Sequence, residues 1–375
     1  MATVKIDAHN IISSIEAKEI IETTAKTIID TPEMVNQIPA IILRGAPGVG
    51  KSSIVRQAAQ NLGIDFIDVR LAQLERCDFC GLPSVENGHT TWNTPSFWPT
   101  DESSAGILFF DEITSAPADI QVAAYSMILD RKIPNTNYEL PKKWIIVAAG
   151  NRSVDRAVVK TMSSALANRF MHFELEANTD EWLEWAVSND VHPAVVGYVN
   201  YRPQNLFKME GQNLEMGWPS PRSWEKVSSM INLFGSNVDV LRKVVYGLIG
   251  NGVGVEFVEF FKMNSQFENV VEMLTDENAK IEIPEKADQK YALCSAVAYH
   301  IWNGTDEADI ERRVSGFYRI VNKLSSDFAV LLTKLCMQGN SKINKMQAVM
   351  HIMKHKEYKK FAEKYSAAMT TKYTL

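Results

Sequence analysis

Gly45-Ala46-Pro47-Gly48-Val49-Gly50-Lys51-Ser52 is the most informative segment of this 375-residue chain. It lies between a short apolar run, Ile41–Leu43, and a stretch of helical pattern, Ser53–Leu62. Its glycines let backbone N–H groups curve around phosphate oxygens, and the positive end of the following helix favours an anion. In this pattern the lysine reaches the β- and γ-phosphates and the next hydroxyl can bind Mg²⁺. Residues 45–53 are therefore predicted to bind a nucleotide, with Ser52 as a magnesium ligand.

Two acids end a second apolar run, Gly106-Ile107-Leu108-Phe109-Phe110-Asp111-Glu112. The carboxyl end of a parallel strand faces the crevice in which ligands bind. Asp111 is therefore predicted to hold Mg²⁺, directly or through water. Glu112 is predicted to activate the attacking water as a general base.

Asn151 and several arginines complete the candidate catalytic set. Asn151 follows the apolar run Trp144–Ala149, so its amide is predicted to position the water or contact the γ-phosphate. Phosphoryl transfer spreads negative charge that an added arginine stabilises. Arg169, in Leu166–Phe170, and Arg222, after Pro221, are the candidates, and the rival candidates are Arg152 and Arg156.

The pattern of apolar runs indicates an α/β fold. Short runs that are apolar on both faces alternate with helical stretches between Ala40 and Glu174, which predicts a parallel sheet covered by helices on both sides. Helical patterns follow. We expect an N-terminal segment 1–34 whose residues 7–30 form an amphipathic helix, an α/β nucleotide-binding domain in 35–178, a helical lid in 179–263, a linker in 264–289 and a helical region in 290–375.

Composition restricts the environment and the partners. The formal net charge is −6, which is not the basic balance that duplex DNA or anionic membranes reward. The four cysteines suit a reducing compartment, and the CxxC at Cys77–Cys80 has no second pair to complete a zinc site. No apolar run is long enough to span a membrane, and no signal peptide is recognised. A cytoplasmic protein is expected.

These motifs resemble the AAA+ ATPases, and specifically the MoxR-like ATPases of the helix-2-insert clade. The closest similarities are Leu108–Ala116, Val147–Arg152 and Leu166–Phe170, and the resemblance covers roughly residues 35–260. The resemblance implies that Gly45–Ser52 is Walker A and Asp111-Glu112 is Walker B.

The resemblance also implies roles for the remaining site residues. Asn151 is implied to be sensor 1, Arg169 an arginine finger that acts on ATP in the neighbouring subunit, and Arg222 sensor 2 on the lid. A finger supplied by a neighbour implies a ring of identical subunits, usually a hexamer. The family often works with von Willebrand A-type partner proteins.

Two further segments match features of the MoxR-like family. Cys77–Pro99 fits the helix-2 insertion, and Arg131–Lys143 fits the hairpin before sensor 1. In related rings these elements face the pore or the partner. Trp92, Phe97 and Trp98 are therefore candidates for partner contact, and the alternative is a small apolar cluster.

The predicted function is a Mg²⁺-dependent, ATP-hydrolysing ring motor that remodels a partner protein or complex. One alternative is a nucleic-acid-associated NTP motor of the restriction type, which the net charge and Gly150-Asn151-Arg152 disfavour. A second alternative is a nucleotide-gated scaffold with little turnover, which Glu112 and Arg169 disfavour.

Overall fold

A computed structural model describes residues 10–152, 155, 162–209, 216–264 and 269–371. The chain divides into two compact units, Met1–Ala177 and Asn178–Leu375. The finer division into a lid and a C-terminal region remains a prediction.

The first unit is built on a six-stranded sheet whose neighbouring strands all run parallel. Its strands are β1 (Ile11–Ile12), β2 (Ala40–Arg44), β3 (Asp65–Arg70), β6 (Gly106–Asp111), β7 (Trp144–Gly150) and β8 (Phe170–Leu175). A separate antiparallel hairpin consists of β4 (Leu82–Glu86) and β5 (His89–Asn93). The strand order of the main sheet is β1-β8-β2-β7-β6-β3. This arrangement confirms the predicted α/β fold.

Helices cover both faces of this sheet. They are α1 (Ser14–Asp30), α2 (Lys51–Leu62), α3 (Arg76–Cys80), α4 (Ala118–Asp130) and α5 (Ser164–Ala167). Alternate residues of each central strand enter two separate cores, because successive strand side chains point to opposite faces. In β6, Ile107 and Phe109 join the core that contains α1 and α2, whereas Leu108 and Phe110 join the core that contains α3 and α4.

The N-terminal helix begins later than the sequence pattern indicates, because Ser13 caps it. The Ser13 hydroxyl accepts from the Glu16 N–H at 3.2 Å, and the Glu16 carboxylate accepts from the Ser13 N–H at 2.9 Å. The preceding Ile11 and Ile12 form β1, which pairs with Glu174 and Leu175 of β8. The expected helix over residues 7–30 is therefore wrong at its start, and residues 7–9 lie outside the described part.

The two segments assigned to the MoxR-like features differ from each other in structure. In Cys77–Pro99, the β4–β5 hairpin turns at Asn87 and Gly88, which have φ of 50° and 81°, as two-residue hairpin turns require. The segment Arg131–Lys143 is a loop with one antiparallel bridge, between Lys132 and Glu139.

The second unit is helical in its described residues. Its helices are α6 (Thr179–Ser188), α7 (Pro193–Tyr201), α8 (Pro221–Phe234), α9 (Val238–Ile249), α10 (Asn251–Asn264), α11 (Val270–Thr275), α12 (Ala287–Ile301), α13 (Glu307–Val321), α14 (Ser326–Met337), α15 (Lys345–Lys354) and α16 (Tyr358–Thr371). The expected linker 264–289 contains α11, whose Val270, Met273 and Leu274 are buried. Across the described residues, no helix is both long enough and apolar enough to cross a bilayer.

Candidate nucleotide-binding site

The loop between β2 and α2 depends on glycine at three positions. Gly48 and Gly50 have φ of 85° and 103°, which side-chain-bearing residues rarely adopt. A Cβ on Gly45 would lie 2.5 Å from the carbonyl oxygen of Leu175, a contact with backbone that cannot move aside easily. Ala46, Pro47 and Val49 complete the loop, and Ser53 lies in the first turn of α2.

Lys51 brings the loop and the end of β7 together. Its Nζ donates to the carbonyl oxygens of Gly45 at 2.7 Å and Ala46 at 3.0 Å, and to Oδ1 of Asn151 at 3.2 Å. The side chain is buried at the start of α2, where the positive end of the helix also lies. A phosphate at this position would accept hydrogen bonds from the same ammonium group.

Ser52 and Asp111 form the part of the site that suits a magnesium ion. The Ser52 hydroxyl donates to Oδ2 of Asp111 at 2.8 Å, so a hydroxyl and a carboxylate oxygen lie side by side. Mg²⁺ prefers such oxygen ligands and completes its shell with water and substrate phosphates. The described residues include no group of three or more His, Cys, Asp or Glu side chains arranged to hold a metal. The donor set therefore fits an ion that is shared with a nucleotide, and Cys77–Cys80 gains no further ligands.

Glu112 lies on a turn with unusual backbone geometry. Its φ is 56°, which is rare for a residue other than glycine and which is found where the surrounding structure holds the chain in place. Two hydrogen bonds hold it here: the Glu112 N–H donates to Oδ1 of Asp111 at 2.9 Å, and the Ile113 N–H donates to the Ala149 carbonyl at 3.0 Å. The turn places Glu112 directly beyond Asp111 at the carboxyl edge of the sheet.

Thr114 is a site residue that the sequence analysis missed. Its buried hydroxyl accepts from the N–H of Asn151 at 3.1 Å. Its methyl group also fills the space beside Gly150, where an added Cβ would lie 2.5 Å from Cγ2 of Thr114. This contact links the Glu112 turn to the Asn151 position. No sequence pattern distinguishes Thr114 from other residues after the acids.

Asp68, on β3, is a further carboxylate and interacts electrostatically with Asp111. It pairs with Arg56 of α2, with 3.3 Å between Oδ2 and Nη2, while its Oδ1 is buried without a hydrogen-bond partner. Burial, and then the negative charge of Asp111, raise the pKa of Asp68. Arg56 lies four residues after Ser52, one helical turn further along α2. From the sequence, this spacing could have indicated that Arg56 lies on the same face of the helix as Ser52.

Arg152 is held by acids within its own unit. It donates to Asp155, with 2.8 Å between Nη2 and Oδ1, and to Glu174, with 2.5 Å between Nη1 and Oε1. The hydrogen bond with Asp155, followed by that with Glu174, raises the pKa of Arg152 despite its burial. These ion pairs fix the chain directly after Asn151. The rival candidate Arg156 lies outside the described residues.

Arg169 lies at the opposite end of the sheet from the loop. It precedes Phe170, which pairs with Ala40 at the start of β2, whereas Gly45 follows the end of β2. A strand advances about 3.3 Å per residue, so roughly 15 Å of sheet separates Arg169 from the loop of the same chain. The structure therefore does not bring Arg169 to Lys51 and Glu112.

Arg222 belongs to the second unit. It is exposed in the first turn of α8, which begins at Pro221 and is capped by the Ser220 hydroxyl at 3.2 Å from the Ser223 N–H. Its role at the nucleotide remains a prediction.

The region that contains the Gly45–Ser52 loop, Asp111-Glu112 and Asn151 is similar to known proteins. Among solved structures, a candidate ATPase from Cytophaga hutchinsonii is 15% identical, over 88% of this chain and 94% of that chain, with a TM-score of 0.32. A single-residue mutant of RuvB from Thermotoga maritima is 16% identical, over 89% of this chain and 87% of that chain, with a TM-score of 0.31. No curated protein matches the chain. Residues 40–170 match the family model of the AAA domain of the dynein-related subfamily.

Proposed function

We propose that the chain is a MoxR-type AAA+ ATPase, which works as a ring of identical subunits and uses ATP hydrolysis to remodel a partner protein or complex. The observation that carries the proposal is the meeting of Lys51, Ser52, Asp111 and Asn151 through hydrogen bonds at one edge of the sheet. These residues come from the loop and the ends of two strands, as ligand sites in parallel sheets do.

Each of these residues has a separate role in the proposed hydrolysis. Lys51 and the backbone N–H groups of residues 45–53 bind the phosphates, and Ser52 and Asp111 hold Mg²⁺, which neutralises phosphate charge when bound. Glu112 takes a proton from the attacking water, which adds to the γ-phosphorus as the bond to the ADP oxygen breaks. Asn151 orients that water. The products are ADP and phosphate.

Arg169 supports the ring in this proposal. Because the length of β2 separates it from the loop of its own chain, it would act on ATP bound by a neighbouring subunit. Such a head-to-tail contact closes into a ring when the rotation allows, and a hexamer is the expected size. Arg222 is proposed to close over the nucleotide of its own chain.

The first experiment measures phosphate release per subunit across a series of protein concentrations. Wild-type activity should rise steeply as rings assemble. Glu112→Gln should lower turnover by about 10²- to 10⁴-fold while ATP binding persists, as expected for loss of a general base. Arg169→Ala should be similarly inactive, and Arg242→Ala, which removes an exposed charge, should be unaffected.

Mixing the two inactive variants tests action between subunits. In closed rings assembled at random from equal amounts of the two variants, about one quarter of the subunit interfaces combine an intact Glu112 of one chain with an intact Arg169 of its neighbour. The mixture should therefore recover up to that fraction of wild-type turnover. Normal hydrolysis by Arg169→Ala alone would refute the finger assignment, and no hydrolysis by wild type would favour the scaffold alternative.

The partner is proposed to be a protein, with the von Willebrand A-type class as the first candidate. The β4–β5 hairpin offers exposed apolar side chains for it, with Leu82 64% and Val85 77% exposed. Addition of such a protein should change the rate of phosphate release. Stimulation by DNA instead would favour the nucleic-acid motor.

A further inference from the structure

A cavity of about 190 Å³ lies in the first unit, at the end of the sheet away from the nucleotide loop. Its wall includes the start of β2, the chain just before it, and the C-terminal end of α4. Two arginines, Arg131 and Arg169, line it together with the polar residues Asn36, Gln37 and Asn168. The cavity is thus separate from the loop but includes the proposed arginine finger.

Both arginines have hydrogen-bonding capacity that nothing in the described residues uses. Arg131 is only 7% exposed, and its Nη2 donates to the carbonyl oxygens of Pro141 and Trp144, each at 2.8 Å. Its Nε is buried without a partner, and so is Nε of Arg169. Buried N–H groups normally find an acceptor, because leaving one unpaired costs about 1–3 kcal/mol.

The charge of the cavity is also unbalanced. None of the residues that line it is an aspartate or a glutamate. Glu139 acts on Arg131 electrostatically, but Glu139 is exposed and pairs with Lys132 at 3.6 Å. Burial lowers the pKa of Arg131 to about 10, so this side chain still carries its proton at neutral pH. Two positive charges on one cavity without a lining acid favour an anion.

We propose that this cavity binds a tetrahedral oxyanion of the phosphate class between Arg131 and Arg169. Guanidinium groups match the oxygens of phosphate in paired hydrogen bonds. Asn36, Gln37 and Asn168, which also line the cavity, carry amide groups that are neutral donors. The volume exceeds what a single water molecule needs, so the site has room for such an ion.

Occupancy would regulate hydrolysis, and this consequence rests on the proposed function. An oxyanion bound to Arg169 would keep that guanidinium from the nucleotide of the neighbouring subunit. Inorganic phosphate, the product of hydrolysis, would then inhibit turnover without competing with ATP for the loop.

The test measures binding of inorganic phosphate to the full-length Lys51→Ala chain by isothermal titration calorimetry at constant ionic strength. This background removes the lysine that attracts phosphate to the loop, so the experiment does not depend on hydrolysis. We expect one saturable site per chain. Adding Arg169→Gln should weaken it by about tenfold or more, because one of two guanidiniums is lost. Adding Arg242→Gln, which removes an exposed charge of the second unit, should leave it within about twofold.

Arginine Nε–H signals in nitrogen-15 NMR spectra provide a second measurement, since Arg131 supports the fold and its replacement would be hard to interpret. Phosphate should shift two such signals of the Lys51→Ala chain, and one of them should be absent in Arg169→Gln. Binding that does not saturate, or that is equal in Arg169→Gln and Arg242→Gln, would overturn the proposal. Failure here with active trans complementation would leave the ATPase proposal intact.

Discussion

Asn151 illustrates how a catalytic candidate is positioned by neighbours on both sides. Its side-chain oxygen accepts from Lys51, its backbone N–H donates to Thr114, and the next residue, Arg152, is held by Glu174. Each contact comes from a different part of the sheet edge. A change in any one of them should move Asn151 without altering its chemistry.

Replacing Thr114 with Val tests this at the scale of a single residue. Valine keeps the shape but removes the acceptor, which leaves the Asn151 N–H unpaired at a cost of about 1–3 kcal/mol. We expect kcat for phosphate release to fall while ATP affinity stays near the wild-type value. Thr114→Ser, which keeps the hydroxyl, should restore kcat, and equal loss in both variants would show that packing alone matters.

At the scale of elements, the 77–99 insertion has an exposed part and a buried part. Its hairpin exposes Leu82 and Val85, whereas Trp98 is only 2% exposed and belongs to the core beneath the sheet. The indole N–H of Trp98 donates to the Phe79 carbonyl at 3.1 Å, and its ring meets that of Phe79 edge-on at 5.0 Å. Trp98 therefore anchors the insertion within an apolar cluster, which is the alternative to partner contact that the sequence left open. Trp92 and Phe97 remain candidates.

Alanine substitutions should distinguish the buried part of the insertion from its exposed part. Trp98→Ala should lower the free energy of unfolding by about 3–5 kcal/mol, as loss of a buried tryptophan does. Val85→Ala, at a side chain that is 77% exposed, should change it by no more than about 0.5 kcal/mol. Urea denaturation measures both. A small effect of Trp98→Ala would place the side chain outside the core.

At the scale of the whole molecule, the two compact units should respond to different conditions. A nucleotide bound at the proposed site in the first unit would stabilise that unit by mass action. The second unit instead carries a partly buried histidine. His192 caps α7 by accepting from the Ala194 N–H at 3.1 Å, and its ring lies near Phe261 and Tyr299.

Stability of the second unit should therefore fall in acid. Burial, with a smaller effect of His300, lowers the pKa of His192 from 6.5 to about 4. The unfolded chain thus binds the proton more tightly, and protonation favours unfolding. Above about pH 6.5 both states are neutral and no penalty exists. As pH falls from about 6.5 to about 4, the penalty grows to about 3 kcal/mol.

His192→Asn provides the comparison, because asparagine can still cap the helix but does not titrate in this range. The difference between wild type and variant in free energy of unfolding, measured by urea denaturation, should change with pH between about 6.5 and 4. The burial of His300 also lowers its pKa, so the variant should keep part of the acid sensitivity. Parallel curves for the two proteins would contradict the prediction.

The sequence by itself determined the α/β core and pointed to the residues of the proposed nucleotide site. Glycines at positive φ, an apolar strand and two acids at its end are local requirements, so Gly45–Ser52 and Asp111-Glu112 could be recognised without coordinates. The start of α1 at Ser14 also has a local cause, because Ser13 and Glu16 form a capping box. The pattern of apolar residues alone did not reveal this cap.

Only the tertiary structure decided which side chains are buried and what each one contacts. Arg152 was a rival arginine candidate in the sequence, but an ion pair with Glu174 holds it. Thr114 became a site residue through a strand that follows much later in the chain, and Arg131 and Arg169 met at one cavity. Such contacts join residues far apart in sequence, so the order and register of the strands must exist before they can be seen.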